Sequence, residues 1–319
     1  CAYMVGSEVF FKMTKAYIFW ETGKYAVIVF SLMGIFYLGL KRKAVPYLLY
    51  FILLLPAISV SYGQLSFDMD FRKSVIFNLS GPFCLCVAAL FTYGRTLSLK
   101  KMLEVLDYIV YPIIAMTVYI ILYSPDVAEA IKNTGSNANV SGGYSGNQVA
   151  TILGLGFFIL MSRFFIPYKN MVLQGVMMFF MALMGYRALI TFSRGGVIVA
   201  VVMVIAFIVV YHLRNPIEDK LRTGVKFAGI LLGALALWGF THAQTNGLIE
   251  NRYTNKDALG EQKEDFTTGR AKLFEAEWRA FEENPVLGLG AGRVKVHFEE
   301  ELDVRSASHN EISRTLPEH

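Results

Sequence analysis

The stretch YRALITFSRGGVIVA holds two arginines, Arg187 and Arg194, in a chain that is otherwise almost wholly hydrophobic on both sides. A guanidinium keeps its charge at any physiological pH and is costly to hold in lipid. Its fork of N–H donors matches phosphate oxygens two at a time. A third arginine, Arg270, opens the stretch GRAKLFEAEWRAFEEN. Near a membrane surface the anion at hand for all three is a lipid phosphate. Interfacial arginines also snorkel to headgroups simply to anchor a helix end, and for any one arginine alone that reading stands. Gly195 and Gly196 would let the backbone turn sharply after Arg194 and bring a ligand close. His309, in SASHNEIS, has a side chain suited to general-base work near neutral pH. By spacing alone it reads as a solvated loop histidine, as do His242, His297 and His319.

The elements that would position these residues are membrane spans. Of the 319 residues, 55% are hydrophobic and 17% charged, against about 25% charged in an ordinary soluble domain. Mean hydropathy is +0.45. About eight apolar runs approach the ~17–25 residues a spanning helix needs. They centre on 25–40, 44–60, 75–93, 103–123, 149–165, 171–190, 196–211 and 225–240. None shows the period-two alternation of a transmembrane barrel strand. The expectation is an all-α polytopic bundle over residues 1–240, followed by a large outer loop over residues 241–319.

Alternate connections divide by charge. One set carries Lys41, Arg42 and Lys43, then Arg95, Lys100 and Lys101, then Arg163 and Lys169, then Arg214, Lys220, Arg222 and Lys226. The bias towards cytoplasmic lysine and arginine puts this set inside. Arg187, Arg194 and everything from Thr241 onward then face outward. Lys12, Lys15 and Lys24 run against that assignment without reversing it. The net charge of +5 is spread along the chain, and no basic stripe with interleaved aromatics calls for nucleic acid. No metal-ligand spacing stands out, and no cofactor is implied.

Two outer segments carry polar or helical patterns. Residues 124–148, SPDVAEAIKNTGSNANVSGGYSGNQ, are rich in Gly, Ser and Asn and end on Asn147 and Gln148. A surface loop and a loop lining a sugar site fit this composition equally. Further on, TTGRAKLFEAEWRAFEEN, residues 267–284, reads as an amphipathic helix with Thr267 or Thr268 as its cap. Phe274, Trp278 and Phe281 share one face at i, i+4, i+7 spacing. Asn284 and Pro285 end it, and Gly288, Gly290 and Gly292 follow without forming a dinucleotide or P-loop fingerprint. The acidic run Glu299, Glu300, Glu301 and Asp303 reads as a solvated face. Cys84 and Cys86 point in different directions on a helix and are not expected to pair. The chain opens on Cys1 and stops at TLPEH, which suggests a piece of a longer protein, with helices missing at both ends.

In combination these stretches resemble a known family. TFSRGGVIVA resembles the Ser-Arg-Gly-Gly segment of the bacterial O-antigen ligase and polymerase family. TTGRAKLFEAEW followed by NPVLGLGAGR is similar to that family's Gly-Arg…Trp…Pro…Gly-x-Gly-x-Gly stretch. HNEISRTLPEH resembles its His-Asn element, with nine residues after Asn310 before the chain stops, where the family places a glycine pair. SGGYSGNQVA resembles another of its loops. The likeness spans roughly 141–319, in the family's order.

That resemblance implies a GT-C-like, metal-independent glycosyltransferase of the bacterial inner membrane, with its large loop in the periplasm. Such proteins move a glycan from undecaprenyl diphosphate to an acceptor: the lipid A core, another glycan or a protein. By the same likeness, Arg194 and Arg270 would bind the diphosphate and His309 would activate the acceptor hydroxyl. Arg187, Asn310, Asn147, Gln148 and Trp278 are the further candidate substrate contacts. The nine-residue spacing leans towards a ligase, with polymerase as the alternative. A lipid-linked glycan flippase is the competitor of another class, although no row of ionisable residues marks a transport path. A non-catalytic scaffold of an envelope assembly is a third reading.

Overall fold

The computed structural model describes residues 1–64, 71–214, 217–304, 308 and 310–319. In chain order the helices are α1 (Ala2–Thr14), α2 (Thr22–Leu38), α3 (Val45–Leu54), α4 (Pro56–Gln64) and α5 (Phe71–Thr92). There follow α6 (Leu99–Tyr123), α7 (Val127–Ala130), α8 (Gly146–Phe165), α9 (Met171–Ile190) and α10 (Arg194–Arg214). The last are α11 (Ile217–Gln244), α12 (Leu248–Tyr253), α13 (Arg270–Glu283), α14 (Val294–Leu302) and α15 (Glu311–Glu318). Extended pairing among the described residues is confined to an isolated bridge between Lys256 and Gln262.

The protein is an all-α polytopic membrane protein. Seven segments among the described residues are long and apolar enough to cross a bilayer: Val45–Tyr62, Phe71–Thr92, Leu99–Tyr123, Gly146–Phe165, Met171–Ile190, Arg194–Arg214 and Thr223–Gln244. The expected first span, over 25–40, is the shorter α2, at 17 residues. The expected second span folds as α3 and α4, split at Leu55–Pro56, because proline cannot donate the helical N–H bond. Val199, Val202 and Val210 of α10 and Leu232 and Leu235 of α11 are exposed. On a spanning helix such side chains face lipid, whose tails are as apolar as they are.

The chain forms two compact units. The first comprises Cys1–Gly23 and Leu97–Glu264, the second Lys24–Thr96 and Asp265–His319. This division is by contact and interleaves the sequence, unlike the linear division at Phe240 expected from hydropathy.

In the first unit α8 is central. It packs against α6, α9 and α10, and its interior is built from Val149, Leu153, Ile159 and Leu160 with Val110, Ile113 and Met116 of α6 and Met184 of α9. Small residues set the α8–α10 spacing. A Cβ at Gly196 would lie 2.7 Å from the Ala150 carbonyl carbon, and one at Gly154 would lie 3.0 Å from Ala200 Cβ. Where helices gain no hydrophobic drive from water, close backbone approach of this kind supplies the packing energy.

At one end of this unit, Arg163 Nη2 donates to Asp107 Oδ2 at 2.9 Å, and the Tyr168 hydroxyl donates to Asp107 Oδ1 at 2.6 Å. The Arg163 guanidinium stacks 3.9 Å from the centre of the Tyr168 ring. Burial and the Asp107 carboxylate push the Tyr168 phenol up from its ordinary value. Arg163 is thus a buried, paired charge rather than a free loop cation.

The second unit joins α3, α4 and α5 to the helices after Asp265. Ser61 Oγ donates to the Ala291 carbonyl at 2.9 Å, and Leu289 N donates to the Pro317 carbonyl at 2.6 Å. No disulfide joins Cys1, Cys84 or Cys86.

Candidate functional site

In the first unit, a turn of Thr191, Phe192 and Ser193 separates Arg187 from Arg194. Arg187 lies in the last turn of α9, and Arg194 is the first residue of α10. Phe192 holds the turn. It adopts a left-handed φ of 58° while its ring is fully buried among Val127, Ile131, Val140 and Ile249. Burial of an aromatic ring offsets the ~1–3 kcal/mol that a non-glycine residue gives up in that region. This corrects the expectation for Gly195 and Gly196. The sharp turn precedes them, both lie inside α10, and Gly196 is spent on packing against Ala150 while Gly195 is exposed.

The two arginines are each only 8% exposed, and their surroundings differ. Among the described residues, Nε and Nη1 of Arg187 have no hydrogen-bond partner. A ring contact with Tyr186, at 5.8 Å, lies beside the guanidinium. Arg194 Nη1 reaches Asn255 Oδ1 at 3.4 Å. Its position at the amino end of α10 opposes the helix dipole, a conflict that a bound anion would relieve. Asn255 in turn donates to the Lys263 carbonyl at 2.8 Å, and Lys263 Nζ donates to Thr134 Oγ1 at 2.8 Å. The Tyr253 hydroxyl is buried without a partner among the described residues. Burial pushes its pKa up to about 12, against the pull of Arg252 and Arg194, so it stays a proton donor.

The segment over 124–148 is packed, not a loose loop. Asn137 N donates to the Thr191 carbonyl at 3.1 Å, tying it to the arginine-bearing turn, and Asn137 Nδ2 donates to the Ala130 carbonyl at 2.9 Å. Asn147 and Gln148 are exposed in the first turn of α8, where the Tyr144 hydroxyl donates to Gln148 Oε1 at 3.2 Å.

In the second unit, Arg270 is the first residue of α13 and is exposed. Asp265 organises its approach, with its Oδ1 accepting from Thr267 N at 2.6 Å. Those bonds hold the Asp265 carboxyl below its ordinary range, the Thr267 hydroxyl foremost. Gly269 occupies the cap position, where Thr267 or Thr268 was expected, and Thr267 Oγ1 instead accepts from Ala271 N at 3.3 Å. Leu273, Ala276, Glu277 and Ala280 form the buried face of α13. The aromatic face therefore points away from the unit's interior: Phe274 is 49% and Trp278 44% exposed, and Trp278 Nε1 donates to Glu282 Oε1 at 2.8 Å.

A cavity of about 160 Å³ is lined by Arg270, Leu273, Phe274, Glu277, Asn310 and Ser313. It brings together two residues singled out from sequence, Arg270 and Asn310. Asn310 also caps α15, its Oδ1 accepting from Ile312 N at 3.0 Å. His309 lies outside the described residues.

Several residues of this unit carried no sequence signal. Glu277 is 2% exposed and accepts a hydrogen bond from the Ser313 hydroxyl. The signal available was an acid on the same helix face as Leu273, Ala276 and Ala280. Arg314 Nη1 donates to Asn78 Oδ1 and, at 2.9 Å, to Glu318 Oε2; Gly292 N donates to Glu318 Oε1 at 3.0 Å. Burial nevertheless raises the Glu318 carboxyl to about 7. The three glycines after α13 all have positive φ. A Cβ at Gly288 would lie 2.6 Å from the Glu318 carbonyl carbon, and one at Gly290 would lie 2.8 Å from Ser61 N. Glycine is required there by both conformation and space. No cluster of three His, Cys, Asp or Glu side chains suited to a metal occurs among the described residues.

Residues 179–318 match the family model described as O-antigen ligase. This segment belongs to the O-antigen ligase family. It contains Arg187, Arg194, Arg270, Trp278, His309 and Asn310. Asn147 and Gln148 precede it. No curated protein and no solved structure matches the chain. The match supports a glycosyltransferase-like ligase or polymerase function for this membrane protein, and leaves donor, acceptor and residue roles to be argued from chemistry.

Proposed function

We propose that the protein transfers a glycan from undecaprenyl diphosphate to an acceptor hydroxyl at the periplasmic face of the bacterial inner membrane, as a ligase. The observation that carries this reading is the O-antigen ligase match over 179–318, which encloses the arginines and the histidine together. In this reading Arg187 and Arg194 are the phosphate-binding residues of the first unit, and Arg270 that of the second. The unpartnered Nε and Nη1 of Arg187 support a bound anion.

When the bond between sugar and diphosphate breaks, negative charge builds on the leaving phosphate. Fixed guanidiniums aimed at that charge stabilise the transition state without a metal. His309 accepts the proton of the attacking acceptor hydroxyl, a step worth about 10²–10⁴-fold. The outer loop over residues 241–319 stays with the periplasmic face, and Trp278 and the segment ending at Asn147 and Gln148 contact the glycan. Reconstitution tests this. Full-length protein in proteoliposomes, given lipid-linked glycan and acceptor in EDTA, is expected to form the transferred product. Movement of intact lipid-linked glycan between leaflets without bond cleavage would indicate a flippase instead. Transfer that is abolished by EDTA and restored by a divalent ion would overturn metal independence.

A further inference from the structure

The cavity under α13 holds a carboxylate that the proposed chemistry leaves unused. Glu277 is almost fully buried, one of its oxygens accepts from Ser313, and the other, Oε1, has no hydrogen-bond partner among the described residues. An unsatisfied buried carboxylate oxygen is costly unless something supplies its hydrogen. The other polar lining groups are donors. Arg270 makes no side-chain hydrogen bond or ion pair among the described residues, and Asn310 spends its Oδ1 on the α15 cap, leaving its amide hydrogens. Leu273 and Phe274 add an apolar wall. The volume, about 160 Å³, is well above the ~10–15 Å³ that admits one water.

We propose that this cavity is a sugar-hydroxyl subsite, in which Glu277 accepts a hydrogen bond from a hydroxyl of the donor glycan and Asn310 donates to a neighbouring oxygen, while the exposed Arg270 keeps its phosphate contact. A cation is disfavoured beside the Arg270 guanidinium, and the buried Glu277 end disfavours an anion, so the phosphate stays at the exposed Arg270 and a neutral group enters. A hydroxyl donates and accepts at once, and so suits one acceptor flanked by donors. This assignment rests on the glycan-transfer reading, and it makes Glu277 a binding residue specific to the sugar rather than to the diphosphate.

Two lipids separate these contributions: undecaprenyl diphosphate without sugar, and the lipid-linked glycan that accumulates in a strain lacking the gene. Binding of each to full-length protein in nanodiscs is measured for wild type and Glu277→Gln. The glutamine keeps the side-chain shape and can still accept from Ser313, but places an amide at the free position. The expected result is roughly tenfold weaker binding of the lipid-linked glycan, the scale of one charge-assisted hydrogen bond, with binding of the bare diphosphate lipid unchanged. Glu277→Ala combined with Ser313→Ala, which leaves no orphaned hydroxyl, is expected to show the same sugar-selective loss. Equal weakening of both lipids, or weakening of neither, overturns the subsite while the glycan-transfer reading stands. Wild-type protein that binds neither lipid overturns that reading itself.

Discussion

Arg270, the first residue of α13, and Asn310, the cap of α15, line the same cavity. Packing of α13 against α15 within the second unit brings them there. The cap bond from Ile312 N to Asn310 Oδ1 fixes which end of the amide remains free. Asn310→Ala is expected to cost about 1 kcal/mol of stability through the lost cap and to weaken lipid-linked glycan binding. Asn310→Asp keeps the cap and loses the donors. Thermal unfolding and lipid binding of the two variants separate these effects: only the alanine should unfold earlier, and both should bind the glycan less well.

Arg187 offers a different signature. A buried guanidinium with unpartnered N–H groups is a stability cost, of order 1–3 kcal/mol. Arg187→Met is therefore expected to raise the thermal midpoint of the purified protein while lowering its transfer rate. A variant that unfolds earlier would show that Arg187 is held by structure rather than reserved for a ligand.

The buried pair of Arg163 and Asp107 predicts the opposite. Asp107→Ala strands the Arg163 guanidinium and should destabilise the first unit by about 3–5 kcal/mol. Tyr168→Phe removes one hydrogen bond to Asp107 and should cost about 1 kcal/mol. Denaturation of the two purified variants side by side checks the ranking.

Gly195 and Gly196 are adjacent and should respond in opposite ways. Gly196→Ala forces a Cβ to 2.7 Å from Ala150 backbone, so α8 and α10 must separate, at about 1–3 kcal/mol. Gly195→Ala, exposed and helical, should stabilise by about 0.5–1 kcal/mol. Thermal midpoints of the two variants are the readout.

Glu318 makes stability depend on pH. Its folded value of about 7 lies above the ordinary 4.5, so between those values the folded state binds more protons than the unfolded. Stability contributed by the neutral, buried carboxyl is complete below about pH 4.5 and is lost as pH rises through about 7. The loss is at most about 3 kcal/mol. Glu318→Gln should flatten this part of the stability profile, and a profile identical to wild type would contradict the assignment.

The legible part of this protein is what repeats locally. Apolar runs long enough to span a bilayer announce themselves residue by residue, and so did most of the spans. The short α2 and the break at Pro56 mark the margin of that signal. Arg194 and Arg270 were visible because each sits in a distinctive short pattern. Glu277 was not, because an acid on a helix reads as solvated until its neighbours are known. The bond from Arg314 to Asn78 joins residues 236 apart, and no periodicity reports such a pair. The aromatic stripe Phe274, Trp278 and Phe281 was found as a face, but periodicity does not say which face of α13 is buried. Leu273, Ala276, Glu277 and Ala280 take the inner side here, leaving Phe274 and Trp278 exposed.

The central claim is that the arginines and His309 serve glycan transfer. The most direct measurement is the glycolipid profile on a gel of a strain lacking the full-length gene, complemented with wild type, Arg194→Ala, Arg270→Ala or His309→Ala. Membrane levels of each protein are measured alongside. The account predicts that wild type restores acceptor carrying long glycan, while each variant leaves long glycan on undecaprenyl diphosphate and bare acceptor. Acceptor capped by a single repeat would assign the polymerase reaction instead. Normally inserted variants that all restore the wild-type profile would contradict the account.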